Sequence, residues 1–312
     1  MTYLPTPQPA AHTDLAHSEE YFGAYRDYWW NADFLALMAR RWSLADCRSL
    51  LDVGCGQCHW SRALLPHLPA GMAVTGLDRD PKWAAGEPGL FRYFAAYGAT
   101  LTLAQGEATA LPYADASFDV VTCQTVLIHL PDPLAALREM RRVVRPGGWV
   151  ICAEPSNLAN AAAFTAAEFD LSPAERLDAF RYRLLCEAGK RLAGEGDSSL
   201  GDQLAWLFSR AGFDQIHSHL SDKAGPLLPG TSDPESQANR MELHDWLTPE
   251  RNALWDSQVA RWLPYLGVED ADFVRRYTDE RPERHARLAA LLATDGYWDG
   301  GASLTYLVSA QR

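Results

Sequence analysis

The sequence predicts an α/β protein built on a doubly wound sheet and followed by a helix-rich second half. Three observations carry this. Strand-like and helix-like signals alternate from about residue 49 to residue 155, the pattern of βαβ units whose right-handed crossovers lay parallel strands side by side. An apolar pair, Leu50-Leu51, leads to Asp52 and then to Val53-Gly54-Cys55-Gly56-Gln57-Cys58. A buried strand there turns sharply toward a helix, and glycine lets the backbone approach a ligand where a Cβ would collide. A second run, Ala73-Val74-Thr75-Gly76-Leu77, also ends in a carboxylate, Asp78, where the neighbouring strand of a nucleotide-binding unit presents one to a ribose diol.

The elements follow in order. Ser49–Val53 reads as the first strand and Trp60–Leu68 as a helix with Pro69 beyond it. The start of that helix offers unpaired N–H groups to an anionic group. Ala73–Leu77 is the second strand, Gly89–Tyr97 a short helix ended by Gly98, and Thr100–Gln105 and Phe118–Gln124 are the third and fourth strands. Pro133–Val144 is amphipathic, with Leu134, Leu137, Met140 and Val143 or Val144 on one face. Arg145-Pro146-Gly147-Gly148 stops it, since Pro breaks a helix and Gly permits the turn. Trp149–Ala153 is the fifth strand.

Beyond Glu154 the pattern changes. Residues 156–197 are helical, Leu200–Ala211 is a further helix and Phe213–Leu220 a strand. A long stretch with helical character carries Trp246, Trp255, Trp262 and Trp298, and after Asp299-Gly300-Gly301 the chain closes with Ser303–Ser309. Residues 1–16, rich in Pro and Thr and without periodicity, read as a disordered tail. Residues 17–155, 198–221 and 302–312 form the expected nucleotide-binding domain. Residues 156–197 and 222–301 are insertions expected to build a helical cap over the sheet's C-terminal edge, where open α/β sheets bind ligands.

The chain of 312 residues is long enough to bury a sizeable core, and its 40 acidic against 28 basic residues give a net charge of −12. A phosphate backbone is repelled by such a surface and no basic run is present, so a nucleic-acid partner is not expected. No apolar run reaches the ~18 residues of a membrane span. The N-terminus has neither a basic n-region nor an apolar h-region, and several of the six cysteines lie in apolar strand-like runs, so a reducing cytoplasm is the expected compartment. Cys55 and Cys58 form a C-x-x-C, but a zinc site needs a second ligand pair that the sequence lacks. No metal is expected.

The glycine loop is compatible with more than one adenosine cofactor. A nicotinamide site wants Gly-x-Gly-x-x-Gly, and with Gly54 and Gly56 in register the third position is His59. Asp52 before the glycines repels a pyrophosphate but welcomes an ammonium. Glu107, in Gln105-Gly106-Glu107-Ala108, follows the third strand and can accept from an exocyclic adenine amine.

Together, Leu51-Asp52-Val53-Gly54-Cys55-Gly56, Gly76-Leu77-Asp78, Gly106-Glu107-Ala108, Leu111-Pro112 to Phe118-Asp119-Val120-Val121, Ile128-His129-Leu130-Pro131-Asp132 and Arg145-Pro146-Gly147-Gly148 resemble the class I S-adenosylmethionine-dependent methyltransferases, in the group related to ubiquinone and small-metabolite methyltransferases. The resemblance covers roughly residues 45–155, with a fainter echo at 200–220 and 303–312. It implies a Rossmann-like, seven-stranded sheet, mostly parallel, whose last strand, Ser303–Ser309, is antiparallel. It also implies S-adenosylmethionine as cofactor. Gly54 and Gly56 then pass under the methionine part and Asp52 faces its ammonium. Asp78 takes the ribose hydroxyls, Glu107 and the Ala108 N–H read the adenine edge, and Gln124 offers its backbone near the ammonium. Cys55, Arg79, Gly106 and Tyr28 complete the expected cofactor contacts. Two positions depart from the family: Cys58 stands where a third glycine is usual, and Glu107 where Asp is usual.

Methyl transfer from a sulfonium is an in-line displacement with a neutral thioether leaving, so the protein must align the acceptor, exclude water and deprotonate the acceptor where needed. Alignment can supply roughly 7–11 kcal/mol, and a positioned base about 10²–10⁴-fold. His129, just beyond the fourth strand, reads as the base or as an architectural hydrogen-bonding group. Glu154, ending the fifth strand, reads as a second base, as an acceptor-orienting group or as a carboxylate capping the next segment. Tyr21, Tyr25, Tyr28 and Trp29 recur at helical spacing, able to stack on an acceptor or meet a sulfonium, or simply to pack. With Asn157, Arg181 and Tyr182 of the first insertion, Tyr21, Tyr25 and Trp29 are the candidate acceptor contacts. The expected activity is methyl transfer to a small aromatic or apolar molecule, with oxygen ahead of nitrogen and nitrogen ahead of carbon as acceptor atom. The alternatives are a regulatory module that binds S-adenosylmethionine without transfer, a protein methyltransferase, and a nicotinamide-dependent oxidoreductase.

Overall fold

The computed structural model describes residues 26, 28–163, 165–301 and 303–312. The expected tail at 1–16 and the candidates Tyr21 and Tyr25 lie outside the described residues. Along the chain, α1 (Ala32–Arg41) precedes β1 (Ser49–Val53), α2 (His59–Leu64) leads to β2 (Ala73–Asp78), and α3 (Pro81–Ala85) and α4 (Pro88–Ala96) lead to β3 (Thr100–Gln105). Then come β4 (Phe118–Gln124), α5 (Pro133–Val143) and β5 (Val144–Pro155), followed by α6 (Asn157–Asn160), α7 (Pro173–Leu192), α8 (Leu204–Arg210) and β6 (His217–Leu220). The chain ends with α9 (Pro234–Asp245), α10 (Pro249–Trp262), α11 (Val268–Asp279), α12 (Arg281–Ala293) and β7 (Thr305–Gln311).

The chain divides into two compact units. The sheet unit comprises Trp29–Ser156, Ser199–Lys223 and Leu304–Arg312. Its seven strands run in the order β3-β2-β1-β4-β5-β7-β6. The first five are mutually parallel, and β7 is antiparallel to both β5 and β6. This is the Rossmann-like arrangement that the motifs implied, with the antiparallel strand inserted before β6. Strand order reverses at β1, which pairs with β2 on one side and β4 on the other. In such sheets the crevice outside the carboxyl ends of the strands at the reversal is the ligand site.

The central strands are nearly continuous apolar runs because both faces are covered: Leu50, Leu51, Val53, Val120 and Val121 are fully buried. Three buried polar residues interrupt them: Asp119 near the start of β4, and Asp52 and Thr122, register partners near the ends of β1 and β4. Helix α5 buries Ala136, Leu137, Met140 and Val143, and Asp132 caps it by accepting from the Ala135 N–H at 2.9 Å. From the last turn of α5, Arg142 donates to the Leu111 and Tyr113 carbonyls at 2.9 and 2.7 Å and pairs with Glu139 at 2.8 Å. That one guanidinium fixes the connection between β3 and β4.

Boundaries differ from the sequence expectation where backbone chemistry decides them. Helix α2 stops at Leu64 and continues only as a 3₁₀ turn, Leu65–His67, because Pro66 removes a donor. Strand β5 begins at Val144 rather than Trp149. The Arg145–Gly148 segment does not leave the sheet but crosses it as an irregularity opposite Phe118 and Val120. A Cβ on Gly148 would stand 2.6 Å from the Asp119 carbonyl, so glycine is what permits that close pass. Strand β6 starts at His217, not Phe213, since Phe213 turns inward to meet Phe208 with ring centroids 5.0 Å apart. β7 starts at Thr305 rather than Ser303.

The helical unit comprises Asn157–Ser198 and Ala224–Ser303 together with the described residues Arg26 and Tyr28. Its long helix, α7, opens on a capping box in which Ser172 and Glu175 satisfy each other's backbone N–H. Tyr182, Cys186, Val259, Trp262 and Val274 form its main core. A second cluster gathers Ala166, Leu227, Leu292 and Tyr297.

Candidate functional site

The loop after β1 is built backbone first. The Gly54 and Cys55 N–H groups both donate to the Leu77 carbonyl, at 2.7 and 3.0 Å, which folds the loop back over β2. Gly54 has φ +66°, and a Cβ there would stand 2.5 Å from Val126 Cγ2, so both conformation and space demand glycine. Gly56, at φ +47°, donates its N–H to Asp78 Oδ2 at 3.0 Å. Cys58 is left-handed as well, with φ +58°, and its N–H bonds the Cys55 carbonyl at 2.7 Å. The position where the family has glycine is thus one where the backbone wants it. The Cys55 sulfur faces inward, at the spot where a Cβ on Gly76 would meet it at 2.8 Å.

Four neighbouring strand ends bring the candidate cofactor groups to one edge. From β1, Asp52 is 1% exposed and accepts from the Ser61 hydroxyl of α2. Burial pushes its carboxyl up to about 7, with the nearby Asp78 charge adding and the Ser61 bonds opposing. From β2, Asp78 accepts from Gly56 on one oxygen and from the Asp80 N–H at 2.9 Å on the other. Beyond β3, the Gly106 N–H reaches the Asp78 carbonyl at 2.9 Å, Glu107 is exposed and Ala108 is buried. Arg79 is half-buried, and its carbonyl accepts from Gln105 Nε2 at 3.0 Å. Gln124 ends β4, half-buried, opposite Ala153.

The two expected bases lie next to this edge. His129 is half-buried and ends a 3₁₀ turn, Leu127–His129, with its N–H on the Val126 carbonyl at 3.0 Å. Glu154 is fully buried. Its Oε1 accepts from the Val126 and Leu127 N–H groups at 3.0 and 2.9 Å, and its Oε2 from Ile128 at 3.4 Å. Burial pushes Glu154 up to about 7 against the pull of those three backbone donors. Both of its oxygens are turned to the chain after β4.

Residues 51–152 match the family model described as a methyltransferase domain. Over this stretch the chain is similar to S-adenosylmethionine-dependent methyltransferases. Demethylmenaquinone methyltransferase from Shouchella clausii is 40% identical over 108 residues, 35% of this chain and 45% of that protein. The enzyme of the same name from Staphylococcus epidermidis strain RP62A is 42% identical over 106 residues, 34% of this chain and 42% of that protein. The chain thus spans less than half the length of these relatives. Among solved structures, phosphoethanolamine N-methyltransferase 2 of Haemonchus contortus, in complex with S-adenosyl-L-methionine, is 14% identical with a TM-score of 0.43, over 89% of this chain and 52% of that one.

Around the loop after β1, sequence reasoning missed three supporting groups: Ser61, Val126, and the pair in which Trp60 Nε1 donates to Thr122 Oγ1 at 2.6 Å. Ser61 was signalled by its place in the first turn of α2, between the buried Trp60 and Leu64. Trp30 lies against Trp60 at 5.1 Å between ring centroids, anchoring the segment before α1. Trp29, next to it, is half-buried.

The remaining acceptor candidates belong to the helical unit. Tyr182 is 7% exposed, accepts from Trp255 Nε1 at 2.8 Å and stacks on Tyr277 at 4.6 Å. Arg181 pairs with Asp270 at 2.8 Å and lies over Phe273 at 4.3 Å. Asn157 is exposed at the start of α6, with its N–H on the Ser198 carbonyl at 3.3 Å. Tyr28 is half-buried in the same unit. Tyr182 is therefore engaged in the packing of this unit, and Arg181 in an exposed ion pair on it.

Proposed function

We propose that this protein is an S-adenosylmethionine-dependent methyltransferase acting on a small aromatic or apolar acceptor, with oxygen the preferred acceptor atom, then nitrogen, then carbon. One observation carries the reading: Asp52, the left-handed Gly54 and Gly56, Asp78 and the Glu107-Ala108 pair converge on one sheet edge at the strand-order reversal. The residues suit the cofactor. Asp52, buried with a hydroxyl as its hydrogen-bond donor, is suited to the cofactor's ammonium. Asp78, held by two backbone donors, keeps lone pairs for a ribose diol. Glu107 and the Ala108 N–H serve the adenine edge, with Gln124, Cys55, Gly106, Arg79 and Tyr28 as further contacts. The bound cofactor supplies an electrophilic methyl group on a sulfonium. The chain's own residues hold it, exclude water and, through His129, take a proton from the acceptor.

The relatives' name supports a quinone-like or phenolic acceptor of low polarity. We assign acceptor recognition to the helical unit, with its Trp-rich stretches. Among the described residues no helix is long and apolar enough to cross a membrane, and all six cysteines are free and buried, which suits a reducing cytoplasm. Incubation with S-adenosylmethionine carrying a deuterated methyl group and a panel of quinols, phenols and amines tests the activity by mass spectrometry. A labelled methyl on a quinol or phenol is the expected product. Cofactor binding with no label transferred to any small molecule would favour the regulatory or protein-methylating alternatives.

A further inference from the structure

We infer that Glu154 is a positioning residue, whose carboxylate holds Val126 against Gly54 and so sets the shape of the cofactor loop from two strands away. This rests on the cofactor reading above. The chain leaves β4 at Gln124 and reverses at Thr125, whose φ of +54° is a strained conformation for a β-branched residue. Two bonds hold it there: the Thr125 N–H reaches the Ala153 carbonyl at 2.9 Å, and its hydroxyl reaches the Gln124 carbonyl at 2.7 Å. After this reversal the next three N–H groups, of Val126, Leu127 and Ile128, converge on the Glu154 carboxylate. Successive N–H groups gathered in this way form a concavity for an anion, and here the anion is a side chain of the same sheet.

Glu154 cannot swing to another task without leaving these donors bare, because it is fully buried. Its own backbone is locked too: it pairs with Tyr306 of β7, and a Cβ on Gly201 would stand 2.6 Å from its carbonyl. The consequence reaches the loop through one side chain. Val126, whose N–H is held by Glu154, has its two methyl carbons at 2.5 and 2.8 Å from where a Cβ on Gly54 would be. The isopropyl group therefore covers the first glycine of the cofactor loop directly. The same turn ends at His129, so one carboxylate aligns the expected base and the expected cradle together.

The test uses the full chain and S-adenosylhomocysteine as probe, with calorimetric titration and thermal melting on each variant. Glu154→Gln keeps an oxygen for Val126 and Leu127 but can turn an amide N–H toward Ile128. It is expected to stay folded and to bind the probe about tenfold more weakly. Val126→Ala leaves the carboxylate and its donors in place and is expected to weaken the probe similarly. The double variant is expected to bind no more weakly than the weaker single one, since both act through one contact. A Glu154→Gln protein that melts lower yet binds with wild-type affinity would overturn the inference, as would full additivity. Failure of the wild-type chain to bind the probe would instead remove the cofactor reading beneath it.

Discussion

The Gly56 N–H donates to Asp78 Oδ2 at 3.0 Å, so the second loop glycine and the expected ribose carboxylate hold each other. The other Asp78 oxygen takes the Asp80 N–H at 2.9 Å. Asp78→Asn puts an amide N–H against one of two backbone donors. A buried donor left unsatisfied costs about 1–3 kcal/mol. The variant is expected to bind S-adenosylhomocysteine at least tenfold more weakly by titration, with only a modest loss in melting temperature.

Gly54→Ala is expected to be the most damaging single change in the loop. A left-handed backbone costs a non-glycine residue about 1–2 kcal/mol, and the new Cβ would also meet Val126 Cγ2 at 2.5 Å. Adding Val126→Ala removes the collision but not the conformational cost. Urea denaturation should show the double variant recovering part, not all, of the lost stability.

Cys58→Gly is expected to be nearly neutral. The left-handed cost at φ +58° is relieved, while burial of a thiol that is fully enclosed is lost and the unfolded chain gains freedom. Each contribution is on the order of 1 kcal/mol. Probe affinity should stay within about threefold of wild type. A sharp fall would mean that the thiol itself supports the loop.

Stability should depend on pH through two buried carboxyls. Asp52 and Glu154 are both pushed up to about 7 by burial, whereas unfolded Asp and Glu titrate near ~4. Between those limits the native state binds more protons than the unfolded one. Stability is then fully present below the unfolded values and is lost as pH rises through about 7, by up to about 1.4 kcal/mol per pH unit for each group. Urea denaturation of the cofactor-free chain from acid to alkaline pH should show this decline. Asp52→Asn, which cannot ionise, should make the decline shallower, leaving the part carried by Glu154.

His129→Ala is expected to lower turnover of an oxygen acceptor by about 10²–10⁴-fold, the range of a positioned base, while leaving S-adenosylhomocysteine affinity unchanged. Unchanged turnover would return His129 to an architectural role.

The sheet and the gathering of Asp52, Gly54, Gly56 and Asp78 at its carboxyl edge were legible because their signals are local. Alternating apolar runs, glycines spaced by one and an acidic residue at a strand end each declare themselves within a few positions. Cys58 was legible as a departure, and its left-handed backbone explains why glycine is usual there. The three main-chain partners of Glu154 were not legible, because they are backbone N–H groups, which every residue but proline carries. Ser61 and Val126 were missed because their meaning depends on which residue of another element faces them. The start of β5 was misplaced because Pro and Gly, read as a break, here mark a close crossing inside a strand. Tyr182 and Arg181 stood out as polar residues on a helix, and only their partners Trp255 and Asp270 reveal that one is packed and the other held in an exposed ion pair.

Calorimetric titration of the wild-type chain with S-adenosylhomocysteine and, separately, with a nicotinamide dinucleotide bears most directly on the cofactor edge. Saturable one-to-one binding of S-adenosylhomocysteine, weakened by Asp78→Asn, with no binding of the dinucleotide, is the expected result. Absence of S-adenosylhomocysteine binding, or preference for the dinucleotide, would contradict it.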